Sequence, residues 1–281
     1  MASTESEQKA IGSDSHPGSD DELKGSEAPL IEHLAELRTR LIYSVVALAI
    51  LFVACFFVAD QIYNFLLGPF ISAAGSPEDV RLIYTAPQEF FFTKLSVALF
   101  AAIFLAFPVI ASQIYLFVAP GLYKNERLAF LPYLIATPVC FIAGAALVYY
   151  GVMPLALRFF LGMQQTDTGG VTIEMVTRVS EYLSLTMTLL LAFGVCFQLP
   201  VILTLLAQVG LIGVEDLKRW RKYAVVVVIT LAAFLTPPDP ISQIGLAIPL
   251  LLLYELSIIA VRFIEKRRLA REAKLAKDLE S

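Results

Sequence analysis

Six long stretches of the chain lack any acidic or basic residue. A helix needs roughly 20 apolar residues to cross a hydrocarbon core about 30 Å thick, and the first four stretches are long enough. The last two flank the proline-rich segment 236–240, through which no helix can run. The final span continues past Glu255 to Arg262. The charge-free stretches are residues 41–59, 95–123, 128–157, 182–214, 223–238 and 240–254.

The pattern therefore predicts an all-α, polytopic membrane protein with six transmembrane helices. We expect spans at about residues 41–60, 95–118, 131–154, 182–209, 223–237 and 242–262. Prolines within these spans predict kinked helices; they are Pro108, Pro132, Pro138, Pro154, Pro200 and Pro249. The segment 61–77 is interrupted by Asn64, Gly68 and Pro69, so it predicts a re-entrant or surface-lying amphipathic piece.

The basic residues are distributed unequally between the two predicted sides of the membrane. Six spans place both termini on one side, and that side carries 17 of the 21 Lys and Arg residues. Because loops rich in Lys and Arg stay in the cytoplasm, we expect both termini to be cytoplasmic. The first span then serves as the insertion signal, which predicts a protein of the bacterial cytoplasmic membrane.

Composition supports a membrane protein. Of the 281 residues, 58% are apolar and 16% are charged, and the mean hydropathy is +0.73. Soluble domains average about 25% charged residues, so this chain has too few to cover a water-soluble surface. The net charge of −4 gives no basic excess for nucleic acid. We expect a disordered acidic extension over 1–28, a membrane domain over 29–265 and a charged cytoplasmic tail over 266–281.

Motifs of familiar enzyme classes are missing from the sequence. It contains no GxxxxGK[ST] phosphate-binding loop, no HExxH metal motif and no GxSxG nucleophile elbow. The two histidines, His16 and His33, both precede the first span. The three cysteines lie in apolar runs and are interpreted as small buried hydrophobes. We therefore predict no catalytic residues, no metal and no cofactor.

Two acidic residues near the predicted cytoplasmic surface have two possible interpretations each. Leucines at helical spacing make residues 29–40 an amphipathic helix, on which Glu36 either pairs with Arg40 or meets a cationic ligand. Glu126 is the only acid of the first cytoplasmic loop, where it either balances Lys124 and Arg127 or binds such a ligand.

Two polar residues within predicted spans are equally open to interpretation. Gln198 either contacts a partner helix or caps the backbone near Pro200. Glu255 is either a functional intramembrane acid or a residue that reaches the interface, since Arg262 follows about 10 Å further along the helix. A secondary transporter that uses Gln198 and Glu255 as a midplane site is the alternative function.

Four motifs in register with the six spans resemble the TatC family, the multispanning subunit of the twin-arginine protein translocase. The resemblance covers about residues 29–265. The motifs are HLAELR at 33–38, FVAPGLYKNER at 117–127, AFGVCFQLP at 192–200 and LTPPD at 235–239.

This resemblance implies a receptor for folded cargo whose signal peptide carries two adjacent arginines, with transport driven by the proton gradient. Carried over by position, it places Glu36, Arg38, Phe117 and Glu126 on the signal-peptide surface. The family often has Glu where this chain has Gln198, so an obligatory protonation at that position is not expected here.

The resemblance also implies protein partners. Single-span proteins of the TatA and TatB kind are expected to dock on the fifth and sixth spans, near Thr236 and Gln243, with Gln198 as a further contact. We also expect self-association in a larger complex. The basic cytoplasmic surface predicts binding to anionic lipids.

Overall fold

The computed structural model describes residues 19–75, 82–118, 127–164, 176–235 and 240–280. Within these ranges the chain is almost entirely helical. The helices are α1 (Ser19–Phe57), α2 (Ala59–Leu66), α3 (Gly68–Ala74), α4 (Glu89–Val118), α5 (Arg127–Leu147), α6 (Met153–Leu161), α7 (Val179–Cys196), α8 (Leu199–Val209), α9 (Val214–Leu235) and α10 (Pro240–Glu280). A π-helical turn, Val148–Val152, joins α5 to α6.

Five helical stretches are long and apolar enough to cross a membrane, and they correspond to five of the six predicted spans. They are His33–Phe57, Glu89–Phe117, Pro132–Leu161, Val179–Val209 and Gln243–Ala270. Helix α9, the fifth predicted span, is not among them because its first nine residues include six charged ones. Its apolar part is short, and the six-span count stays a prediction.

The segment between the first two candidate spans forms two short helices, neither long enough to cross a bilayer. Helix α2 packs on α4, and α3 packs on α6. The Tyr182 hydroxyl of α7 donates to the Leu66 carbonyl at 2.9 Å, which fixes the end of α2 on the bundle.

The all-α prediction misses one small element. Strand β1 (Leu82–Ile83) pairs in parallel with β2 (Thr177–Arg178). Just beyond this pair, the Ser180 hydroxyl donates to the Glu89 carboxylate, joining the start of α7 to the start of α4. Two residues per strand are too few to leave a readable alternation in the sequence.

Helix α1 begins earlier than expected. It includes residues 19–28, which we predicted to be disordered. A serine followed by three acidic residues favours a helix start, and extending an existing helix avoids the cost of nucleation. The rest of the predicted extension, residues 1–18, lies outside the described residues.

The main core lies among α2, α4, α5, α6 and α7. Two glycines allow α5 and α7 to approach closely: a methyl group at Gly144 would lie 2.6 Å from the Phe193 carbonyl oxygen, and one at Gly194 would lie 2.5 Å from the Phe141 ring. Small residues serve the same purpose wherever membrane helices pack closely. A smaller core joins α8, α9 and α10.

The fourth predicted span is broken at Gln198, where α7 ends and α8 begins with Pro200 in its first turn. The Gln198 side chain is 6% exposed. Its Nε2 donates to the Thr137 carbonyl of α5 at 3.0 Å, and its buried Oε1 has no hydrogen-bond partner among the described residues. The amide therefore acts as a donor that ties the broken span to α5.

We predict that position 198 tolerates a neutral side chain of similar size but not a carboxylate. In Gln198→Met, loss of a hydrogen bond worth about 1 kcal/mol is offset by removal of the unpartnered acceptor, so we expect nearly wild-type thermal stability in detergent. A carboxylate cannot donate to a carbonyl. Gln198→Glu should therefore be less stable at about pH 8 than at about pH 5, where the buried acid carries its proton. If the thermal stability of Gln198→Glu is the same at about pH 8 and at about pH 5, this prediction is wrong.

Candidate functional site

The predicted signal-peptide surface begins where α1 packs along α4. The Glu36 Oε1 atom accepts from Arg40 Nη2 at 3.2 Å, one helical turn away. Arg40 Nη1 lies 3.3 Å from the Gln113 Oε1 atom of α4. The Arg40 and Glu36 side chains are 29% and 32% exposed, so this pair is only partly screened by solvent.

The neighbouring aromatic contact joins the same two helices. The His33 and Phe117 rings are stacked, with centroids 4.2 Å apart and planes 16° from parallel. His33 is three residues before Glu36, and Phe117 is four residues after Gln113. The stack and the ion pair therefore lie on adjacent turns of one α1–α4 seam.

We call this surface the α1–α4 site: His33, Glu36, Arg40, Gln113 and Phe117. It brings together two of the four residues predicted to bind the signal peptide, Glu36 and Phe117. Arg38, the third, is exposed on α1 and has no ion pair within the described ranges. Glu126, the fourth, lies outside the described residues, in the segment that follows α4.

The sequence pattern predicted neither the bond of Gln113 to Arg40 nor the stacking of the His33 ring on Phe117. The available signal was Gln113 itself, a polar residue in an otherwise apolar span, since such residues need an internal partner. The partner could not be identified from the sequence, because Arg40 and Gln113 are 73 residues apart.

The predicted partner surface is only partly formed by the residues we expected. Gln198 is buried and faces α5 inside the bundle. Its side chain makes no cap bond to the start of α8, so the bond to the Thr137 carbonyl corresponds to neither expected interpretation. Gln243, near the start of α10, is partly exposed. Thr236 lies outside the described residues.

Helix α9 has a large uncovered face. It packs mainly on α10, through buried residues such as Leu217 and Val228. Its opposite side exposes large apolar side chains, with Phe234 85% exposed. The others include Tyr223, Val226, Val227 and Ile229.

Glu255, the candidate intramembrane acid, has a partner. Its Oε2 atom accepts from Arg221 Nη2 of α9 at 2.7 Å, and its side chain is 44% exposed. Gln198 is held by α5 and Glu255 by α9. The structure therefore gives no support to a midplane site shared by these two residues.

Among the described residues, neither a metal-binding cluster nor a ligand cleft coincides with the α1–α4 site. In the part of the chain that the structure describes, no three His, Cys, Asp or Glu side chains gather where a metal ion could bind. A cleft of about 390 Å³ opens between α2, α4 and α5. Its lining is apolar and includes none of the predicted site residues.

Comparison with known proteins identifies the family. The family model described as Sec-independent protein translocase protein (TatC) matches residues 32–249. Among the relatives, TatC of Magnetococcus marinus is 48% identical over 246 residues, covering 88% of each chain. TatC of Escherichia coli K12 is 36% identical over 235 residues, covering 84% of this chain and 88% of the relative.

A solved structure has the same fold. The crystal structure described as twin arginine translocase receptor TatC superimposes with a TM-score of 0.72 at 36% identity, and the match covers 83% of this chain and 99% of that one. The family match, the relatives and the shared fold agree with the motifs. The chain belongs to the TatC family and is a multi-pass inner-membrane component of the twin-arginine protein translocase.

Proposed function

We propose that this chain is the receptor subunit that binds the twin-arginine signal peptide at the α1–α4 site together with Glu126. The observation that carries the proposal is the Glu36 carboxylate, 32% exposed and paired with Arg40, one helical turn from the His33 ring that stacks on Phe117 at the end of α4. The loop bearing Glu126 starts directly after this helix. Glu126 follows Val118, the last residue of α4, by eight positions in the sequence.

The ion pair leaves Glu36 able to accept a second cation. Among the described side chains, only its Oε1 atom has a partner. Arg40 also contacts Gln113, so it keeps a hydrogen bond if a ligand displaces it from Glu36. A guanidinium can meet a carboxylate through two parallel hydrogen bonds, which an ammonium cannot. This geometry favours arginines over lysines in the ligand.

The aromatic stack offers the second part of the surface. Phe117 is partly buried and its ring is covered on one face by His33. Exposed ring edges and faces accept apolar side chains and the flat face of a guanidinium. Arg38 is exposed two residues after Glu36. It would repel an arginine of the signal peptide that approached it, which would limit the positions at which the two peptide arginines can bind.

We further propose six spans with both termini in the cytoplasm, α9 being the short fifth span. The charge asymmetry of 17 against 4 Lys and Arg residues supports this orientation. It places the α1–α4 site on the cytoplasmic side, where an uncleaved signal peptide is presented. We assign the chain no catalytic step; transport draws on the proton gradient.

TatA- and TatB-like single-span proteins are proposed to dock on α9 and α10, and self-association would build the larger complex. Val227 and Phe234, both exposed and seven residues apart on one side of α9, support this assignment. Apolar residues from Tyr223 to Leu235 cover only about 20 Å of helix. The following turn should therefore sit within the membrane, where Thr236 and Gln243 can hydrogen-bond to a partner helix.

The orientation predicts which added cysteines an external reagent can reach. Val176, Leu211 and Leu269 are all exposed. In a background without the three native cysteines, a membrane-impermeant maleimide should label Val176→Cys in intact cells but neither Leu211→Cys nor Leu269→Cys. If α9 does not span, the C-terminal end of α10 changes sides. Labelling of Leu269→Cys from outside would therefore contradict the six-span count.

The α1–α4 site predicts that Glu36 and Glu126 act together. A hydrogen bond to a charged group contributes about 1.5–3 kcal/mol, so Glu36→Gln or Glu126→Gln should weaken binding of a twin-arginine peptide about ten- to a hundredfold. Because both acids would hold one ligand, the two losses should not add independently. Charge reversal in Glu126→Arg should weaken binding further. Peptide cross-linking at matched membrane levels measures the effect.

Glu215→Arg provides the matched control, since it makes the same charge change at an exposed position of α9. It should leave peptide binding near wild type. If Glu126→Arg binds the peptide as well as wild type at normal abundance, the site is wrong. If Glu126→Arg and Glu215→Arg weaken peptide binding equally, the effect comes from the net charge of the cytoplasmic side and not from Glu126 itself.

Replacing Thr236 and Gln243 with leucine tests the partner surface separately. The double variant loses hydrogen-bonding groups but keeps an apolar helix pair, so we expect weaker cross-linking to the single-span partner and unchanged binding of the signal peptide. Unchanged partner cross-linking would count against these two residues. A parallel loss of peptide binding would indicate a folding defect.

A further inference from the structure

The first turns of α9 carry four exposed basic residues: Lys218, Arg219, Arg221 and Lys222. Within the described ranges three of them form no ion pair, in contrast to Arg221, which is held by Glu255. Glu215 is the nearby exposed acid, and Asp216 is engaged by the Gly213 amide at 3.0 Å. The exposed ledge formed by Lys218, Arg219 and Lys222 therefore keeps a net positive charge.

Contacts with α10 show the level of this ledge along the bundle. The Tyr254 hydroxyl donates to the Leu217 carbonyl at 2.7 Å, and Arg221 pairs with Glu255. The basic ledge thus lies beside the last third of the apolar part of α10, before the first basic residue of that helix. The first basic residue of α10, Arg262, follows Glu255 by seven residues, or about 10 Å of helix.

The exposed side chains of α9 and α10 consequently indicate different levels for the edge of the hydrocarbon core. On α10, large apolar side chains stay exposed past the level of the ledge, with Leu256 57% and Phe263 65% exposed. On α9, cations are exposed at positions that are deeper by one to two helical turns. A flat bilayer surface cannot suit both helices, because bare cations in hydrocarbon are costly.

We propose that the basic ledge of α9 binds the headgroup of an anionic phospholipid, drawn inward beside α10. This inference rests on the proposed orientation and deepens the expected binding of anionic lipids. Lysine and arginine are suited to phosphate oxygens. Trp220 and Tyr223, both exposed, are the residue types that sit at headgroup level. The Lys222 ammonium lies 5.1 Å from the centre of the Tyr223 ring.

The apolar surface that adjoins the ledge on α9 favours a lipid over a free phosphate ion as the ligand. Arg219, Lys222, Val226 and Ile229 follow one another at helical spacing along one side of α9. Val226 is 63% exposed and Ile229 is exposed as well. One ligand with an anionic head and an apolar tail would cover both parts of this face, whereas inorganic phosphate would cover only the first.

Lipid preference of the purified full-length protein tests the proposal. In mixed-lipid nanodiscs or by native mass spectrometry, we expect roughly tenfold preference for phosphatidylglycerol over phosphatidylcholine with the same acyl chains. The triple variant Lys218→Gln, Arg219→Gln, Lys222→Gln should lose most of this preference. Inorganic phosphate at equal concentration should not displace the lipid.

The matched control replaces three exposed basic residues of α10: Arg262→Gln, Lys266→Gln, Arg267→Gln. It removes the same charge and should keep the preference. Equal losses in both triple variants, or no preference in wild type, would overturn the proposal, as would full displacement by inorganic phosphate. If the α9 variant loses binding of a single-span partner in phosphatidylcholine while lipid preference is unchanged, the ledge serves a protein.

Signal-peptide binding by the α9 variant separates this proposal from the proposed function. The ledge is not part of the α1–α4 site, so the variant should bind a twin-arginine peptide like wild type in phosphatidylcholine discs. A wild-type protein that binds the peptide but shows no lipid preference would overturn the ledge and leave the receptor function intact.

Discussion

A polar group inside the hydrocarbon core has no water to bond with, and this constraint organises the protein. Each polar side chain in a span must find its partner on another helix or on the backbone. Gln198 meets the Thr137 carbonyl, and Tyr254 meets the Leu217 carbonyl. These contacts join helices that apolar packing alone would hold less specifically, because lipid tails are as apolar as the side chains.

The same constraint shapes the α1–α4 site. Arg40 is satisfied twice, by Glu36 on its own helix and by Gln113 on α4. The site thus keeps a carboxylate near the membrane surface, half shielded from water, without leaving a bare charge. Partial shielding strengthens its attraction for a cationic ligand relative to an acid in bulk water. In the proposed receptor, stability and recognition would therefore draw on one ion pair.

Much of the fold could be predicted from the sequence because charge is excluded from spans. Five charge-free stretches overlap helices that can span, although the first helix begins eight residues earlier and the last ends sixteen residues later than its stretch. Helix α9 was harder, since six charged residues occupy its first nine positions and composition alone cannot say whether its short apolar end crosses. The parallel pair of β1 and β2 and the early start of α1 were missed because local propensity does not report tertiary pairing or helix extension.

The sequence predicted residues of the proposed site but not the contacts between them. The motifs pointed to Glu36 and Phe117, and the i,i+4 spacing predicted the pair with Arg40. Gln113 could not be assigned, because its partner is distant in sequence. The direction of the Gln198 side chain stayed open, since a residue next to a proline break can turn toward either the bundle or the lipid, and periodicity does not continue through the break.

Comparing twin-arginine with twin-lysine peptides tests the central claim most directly. Binding of each peptide should be measured with wild-type protein and with the Glu36→Gln, Glu126→Gln double variant. We predict that wild type prefers arginines by at least about tenfold, because paired forks fit carboxylates and ammonium groups do not. The double variant should lose that preference. An arginine preference that survives the loss of both acids would contradict the proposed site.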